Sequence, residues 1–171
     1  LTSICRRVVP MTDAETVAEP LREISRRGHS HVHVFDDWIA ATLAALCRDD
    51  ETYLDRIQSY PNDHDRGDRE ADLFSEATGL LFKATAKANR DILGEVYEEL
   101  ELHNRDNGQF FTPHGVTKMI VEMTIDGSEE TINDPACGSG RMILEASEIA
   151  PDALFVGRDL DVMCARMAAI N

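Results

Sequence analysis

Thr131-Ile132-Asn133-Asp134-Pro135-Ala136-Cys137-Gly138-Ser139-Gly140, continued by the helix-forming run Arg141 to Ala150, decides how the chain is read. A short apolar stretch ends in an acid, a glycine-rich turn follows, and apolar residues then recur at helical spacing: strand, tight loop, helix. A second apolar run, Ala153 to Val156, leads through Gly157-Arg158 to Asp159 and Asp161. Together these make half of a nucleotide-binding βαβ unit. Glycines let the backbone approach a ligand, and an acid about 20 to 25 residues beyond the loop can hold a ribose through its hydroxyls. Two glycines one residue apart are weak evidence alone; the acid, the turn and the second acid in register favour a ligand site. The loop lacks the terminal Gly-Lys-Ser/Thr of a phosphate-binding loop, and its Asp-Pro-Ala-Cys differs from the dinucleotide glycine pattern.

Upstream stands Gly108-Gln109-Phe110-Phe111-Thr112-Pro113. With Asp134 to Gly140 in this order, it resembles the start of the catalytic domain of the N6-adenine DNA methyltransferases, especially the methylation subunits of type I restriction-modification systems. The resemblance runs from Asp91-Ile92-Leu93-Gly94-Glu95-Val96-Tyr97 onward; the preceding helical part shares only general character. It implies S-adenosylmethionine as cofactor, bound by Phe110, Thr112 and Pro113, by Asp134, Ala136, Gly138 and Gly140, and by Asp159 on the ribose hydroxyls. It also implies DNA as substrate and specificity and restriction subunits as partners. The family's catalytic tetrapeptide, Asn or Asp followed by Pro-Pro and an aromatic, occurs nowhere in the chain. No catalytic residue is therefore assigned, and the expected role is the N-terminal, cofactor-binding part of a methyltransferase, inactive alone. The rival expectation is a non-catalytic remnant or an accessory, assembly subunit. A sheet cut short at Asn171 is expected to leave the apolar faces of Ile143, Leu144, Met163 and Met167 unpaired and this half poorly ordered.

Thr112 and Pro113 read as an N-cap and first-turn proline of a helix carrying Val116, Met119, Ile120 and Met123 inward. Its N-terminal amides would favour an anion such as the methionine carboxylate of the cofactor.

The formal net charge of −15 in 171 residues is strongly acidic, and only Lys83, Lys87 and Lys118 are lysines. Such a surface suits a halophilic host and disfavours direct contact with a phosphate backbone, so DNA recognition is expected from other sequence or a specificity subunit. Cys5, Cys47, Cys137 and Cys164 form no metal-ligand pattern, which fits a reducing cytoplasm and no metal; Cys137 is expected to pack. No apolar run reaches the roughly 18 to 20 residues that a membrane span requires.

Residues 1–10 are expected to be a disordered leader, with Met11 a natural start. Thr12 with Glu15 forms a capping box for a helix to about Arg27 with Val17, Leu21 and Ile24 on one face. Gly28 ends it, and His29, Ser30, His31 and His33 read as a solvated linker without metal. Phe35, Trp38, Ile39, Thr42, Leu43 and Leu46 give an apolar face on a helix from about Asp36 to Arg48, with Trp38 as core anchor. Further helices are expected over Thr52 to Tyr60, Arg69 to about Asn89, and from Asp91 through Leu100, with a polar loop at 62–68. The fold class is α+β: an α-helical domain, 11–107, followed by the first βαβα part of a Rossmann-like S-adenosylmethionine-dependent methyltransferase domain, 108–171.

Overall fold

The structure, a computed structural model, describes residues 10–87, 89–102 and 111–171. The 107/108 boundary, Phe110 and nearly all of the expected leader lie outside the described residues. The elements run α1 (Asp13–Arg26), α2 (His31–Cys47), α3 (Asp50–Gln58), α4 (Glu70–Thr85), α5 (Ile92–Glu99), α6 (His114–Thr124), β1 (Thr131–Asp134), α7 (Arg141–Ile149), β2 (Leu154–Gly157) and α8 (Val162–Ile170). The fold is α+β and mostly helical, with β1 and β2 paired in parallel, Thr131 opposite Leu154 and Asp134 opposite Gly157. That register brings the ends of both strands, and the acids there, to one edge.

α1 starts where its sequence says. The Thr12 hydroxyl accepts from the Glu15 amide at 3.1 Å while Glu15 Oε2 accepts from the Thr12 amide at 2.6 Å. Val17, Leu21 and Ile24 enter the core with Phe35, Trp38, Ile39, Leu73, Phe74, Leu81, Ile92, Leu93 and Val96. Trp38 is fully buried and its Nε1 donates to Thr78 Oγ1 at 3.0 Å, so the expected core anchor has its polar tip satisfied. α4 packs on α1 and ends at Thr85, short of Asn89.

Several expectations are corrected. Of the expected histidine linker only His29 and Ser30 precede α2, whereas His31 and His33 lie in its first turn: Val34 and Phe35 are already fully buried, and His33 Nε2 lies 3.2 Å from Asp37 Oδ2 one helical turn on. Leu46, placed on the apolar face, is exposed near the end of α2. The inward face of α6 is Thr117 and Val121, whereas Val116, Met119 and Met123 face outward. Spacing could not distinguish the two stripes, because Thr117 can be buried once its hydroxyl donates to the Pro113 carbonyl, at 3.2 Å. Pro113, not Thr112, occupies the N-cap of α6.

The largest correction concerns α8. Cys164 and Met167 are fully buried in the helical core, with Met163 and Ile170 packed against it. The partner of this face is α2, reinforced by an ion pair between Arg166 and Asp36. The helical bundle thus covers a surface expected to stand open, while Ile143 and Leu144 remain half-buried.

Glu70, almost fully buried, accepts from Arg27 Nη1 and from the Asn62 amide, each at 3.0 Å. Burial pushes its carboxyl up, but backbone hydrogen bonds and the Arg27 guanidinium outweigh that and hold it below the usual glutamate range. A depressed folded-state pKa contributes stability above the unfolded pKa of about 4.3, and that contribution is lost as pH falls through the folded value. Melting temperature should therefore drop on acidification below about pH 4. Glu70→Gln should lower it at pH 7 and flatten the acid limb; an identical acid limb in the variant would remove Glu70 as its source.

Candidate functional site

The two acids close the strand ends in different ways. Asp134, last residue of β1, turns its Oδ1 onto the Ala136 amide at 3.1 Å and so fixes the first bend of the loop. Its carbonyl accepts from the Arg158 amide and the Cys137 amide donates to the Arg158 carbonyl, both at 2.9 Å, which zips the loop onto the segment leaving β2. Asp159 lies directly beyond. Its Oδ2 accepts from the Gly138 amide and its Oδ1 from the Asp161 amide, both at 2.9 Å. Each carboxylate oxygen keeps a further lone pair, and the side chain is only partly buried, so it is oriented and still able to accept from a ligand. Asp161 acts otherwise: its Oδ1 accepts from the Met163 amide at 2.8 Å and caps α8.

Each loop glycine has a packing reason besides any ligand approach. At Gly138, φ is +54° and a Cβ would stand 3.2 Å from the Phe111 ring; at Gly140, φ is +88° and a Cβ would stand 3.0 Å from the Ala168 Cα. Both lie in the left-handed region that side chains avoid. Cys137 between them and β1 is buried, and burial, with Asp159 and Asp134 nearby, pushes its thiol up. It packs as a protonated, unreactive group. Ala136 is exposed at the bend.

Of the Gly108 to Pro113 motif, Phe111 to Pro113 are described. The Phe111 ring lies between Tyr97, at 5.2 Å between centroids, and the Arg141 guanidinium, 5.7 Å above it. Phe35 meets Tyr97 in turn at 5.7 Å, so edge-on aromatic contacts run from the helical core to the loop. Thr112 contributes its carbonyl, which accepts from Arg141 Nη1 at 2.8 Å. Pro113 is exposed at the mouth of α6.

One buried carboxylate joins these pieces. Asp91, fully buried at the N-cap of α5, accepts at Oδ1 from the Gly94 amide at 2.7 Å and from Asn171 Nδ2 at 2.9 Å. Its Oδ2 accepts from the Ser139 hydroxyl and from Arg141 Nε, the latter at 2.9 Å. Asn171 Nδ2 also donates to the Ser139 carbonyl at 2.8 Å. Two signals were present in the sequence. Asp91 with Gly94 has the form of an N-cap and its recipient amide, and Arg141 puts a cation in the first turn of a helix, where the dipole disfavours it unless an anion is near.

A cavity of about 250 Å³ between α6, β1 and α7 is lined by Val121, Ile132, Asp134, Pro135, Met142 and Ile143, and so reaches the end of β1. An open polar groove of about 590 Å³ lies between Met11 to Ala14 and Glu95 to Glu99. Among the described residues no group of His, Cys, Asp and Glu could hold a metal ion, and no helix is long and apolar enough to cross a membrane.

Residues 88–171 match the N-6 DNA Methylase family. The chain is similar to the type I restriction enzyme MjaVIII methylase subunit of Methanocaldococcus jannaschii, with 33% identity over 93 residues, 50% of this chain and 16% of that protein. It is also similar to the MjaIX methylase subunit of the same organism, with 34% identity over 94 residues, 48% of this chain and 17% of that protein. The type II methyltransferase M.XamI of Xanthomonas campestris pv. amaranthicola shares 38% identity over 65 residues, 37% of this chain and 12% of that protein. The chain thus spans under one fifth of the length of these relatives. No solved structure is significantly similar to it.

Proposed function

The chain shares its C-terminal half with the N-6 DNA methylases, and on that premise we propose that it is the cofactor-binding part of an S-adenosylmethionine-dependent DNA adenine N6-methyltransferase of a restriction-modification system. β1, α7, β2 and α8 are then the first βαβα of a Rossmann-like sheet domain. Asp159 accepts hydrogen bonds from the ribose hydroxyls, Asp134, Ala136, Gly138 and Gly140 shape the loop under the cofactor, and Phe110, Thr112 and Pro113 flank its amino-acid end. When bound, S-adenosylmethionine supplies an electrophilic methyl group on a sulfonium, which adenine N6 takes as the carbon–sulfur bond breaks and the nitrogen loses a proton. DNA and a specificity subunit are the partners this role requires.

The observation that carries the reading is the arrangement of anions around the loop. In phosphate-binding loops the following helix offers its N-terminal charge to the ligand. Here the buried carboxylate of Asp91 already sits against the first turn of α7, through Ser139 and Arg141. The site is left with a partly exposed acid, Asp159, at the edge of the loop. Such a site suits a ribose diol joined to a sulfonium cation and disfavours a di- or triphosphate.

Calorimetric titration separates these ligands. S-adenosylmethionine and S-adenosylhomocysteine should bind, and ATP and NAD should not compete. Binding of ATP or NAD in preference, or no heat with either adenosyl ligand, would overturn the reading; the second result would leave a part used for assembly.

A further inference from the structure

Asp91 belongs to the helical part by sequence and to the glycine loop by contact. Its carboxylate is fully buried and occupied on both oxygens, one holding the start of α5 and the other Ser139 and Arg141. Arg141, itself largely buried, spends Nη1 on the Thr112 carbonyl, and its Nη2 lies 3.5 Å from Glu98 Oε1. One charge pair therefore ties α5, the Phe111 to Pro113 segment and the loop between β1 and α7.

Stability alone does not explain such a pair. Removing two charges from water is costly, and well-packed apolar residues of the same volume commonly serve a fold as well or better. What the pair adds is direction: a guanidinium fork and a carboxylate fix the relative placement of three backbone segments in a way that apolar side chains do not. Two of these three segments, Phe111 to Pro113 and the glycine loop, are the ones that the proposed function places against the cofactor.

We infer that Asp91, acting through Ser139 and Arg141, is a positioning residue for the cofactor loop, so that the helical part of the chain sets the loop's affinity for its ligand. The inference rests on the cofactor reading above. Asp91 touches no ligand in this arrangement; it holds Ser139 and Arg141, and they hold the loop against Thr112.

Asp91→Asn isolates the link. The asparagine oxygen can still accept from the Gly94 amide and Asn171, keeping the α5 cap, while its amide meets the Nε–H of Arg141 donor to donor. S-adenosylhomocysteine binding would be titrated at a temperature where circular dichroism shows both proteins folded, and amide hydrogen exchange at Gly138, Ser139 and Gly140 followed without ligand. The expected result is binding weakened by about tenfold or more, with faster loop exchange and unchanged exchange in α1 and α4. Equal affinity and equal loop exchange would overturn the inference even if the melting temperature falls, since that pattern marks a purely structural pair. If the unsubstituted protein binds no adenosyl ligand, the cofactor reading fails and this inference with it, whatever the exchange shows. Should Asp91→Asn not fold, Ser139→Ala removes one of the two loop contacts and leaves the ion pair; a weakening of about twofold to fivefold is expected, and unchanged affinity would overturn the inference.

Discussion

Replacing Asp159 by alanine is expected to weaken S-adenosylmethionine binding by roughly a hundredfold to ten-thousandfold. Two hydrogen bonds from a ribose diol to a carboxylate, at about 1.5 to 3 kcal/mol each, are lost together, and about 1.4 kcal/mol corresponds to each factor of ten. The same substitution releases the Gly138 amide, which Asp159 Oδ2 holds at 2.9 Å. Part of the loss is therefore loop disorder, and Asp159→Asn, whose oxygen can still accept from one amide, should fall between alanine and the native residue. Asp161 is the control. It caps α8 through the Met163 amide, so Asp161→Ala should cost about 1 kcal/mol of stability, the usual value of an N-cap, with little effect on affinity. Isothermal titration with each variant checks the assignment. Equal losses at both positions, or a loss at Asp161 alone, would place the ribose elsewhere.

Gly140→Ala should be among the most destabilising single-methyl changes available in this chain. Its φ of +88° is unfavourable for any residue with a Cβ, and the new carbon would stand 3.0 Å from the Ala168 Cα and 3.1 Å from its Cβ. The backbone contribution is about 1 to 2 kcal/mol and the forced displacement of packed atoms about 1 to 3 kcal/mol more. The atoms in the way are helix backbone and cannot swing aside, so α8 must move off the loop and disturb Cys164 and Met167 in the core. Against a typical total stability of about 5 to 15 kcal/mol this is a large fraction, and urea unfolding should show a clearly lower midpoint. Gly79→Ala makes the contrast. Gly79 lies within α4 with nothing within 4 Å of its added Cβ, so the substitution should stabilise by about 0.5 to 1 kcal/mol through helix propensity. An equal or higher midpoint for Gly140→Ala than for Gly79→Ala would contradict the packing of α8 on the loop.

Local chemistry was legible where one short stretch contained both the signal and its satisfaction. Thr12 and Glu15 cap α1 reciprocally, three residues apart, so no distant group was needed to start that helix. Thr131 to Asp134, the glycine turn and Leu154 to Gly157 have their pattern in consecutive residues, and the strands and α7 lie within a residue or two of the spans read from it. The aromatic and aliphatic stripe of Phe35, Trp38 and Ile39 identified the buried face of α2, though not its first turn, because His31 and His33 are solvated as read yet sit on the outer side of a helical turn whose Val34 and Phe35 are buried.

What depended on distant residues could not be read the same way. Periodicity says that a helix has an apolar face but not what will cover it: α6 turned Thr117 and Val121 inward instead of its methionines, and α8 found its cover on α2, far back in the chain. A buried carboxylate is visible in sequence as only one more acid among thirty-two; its four partners, from Gly94 to Asn171, meet only once the loop closes on α5. The sequence by itself determined the strand, glycine loop and helix, the acids at the strand ends and the capped helices, because each rests on bonds between near neighbours. Tertiary structure alone decided which helix faces are covered and that Asp91 and Arg141 bind the loop to the helical bundle, because burial and ion pairing depend on atoms that chain order leaves far apart.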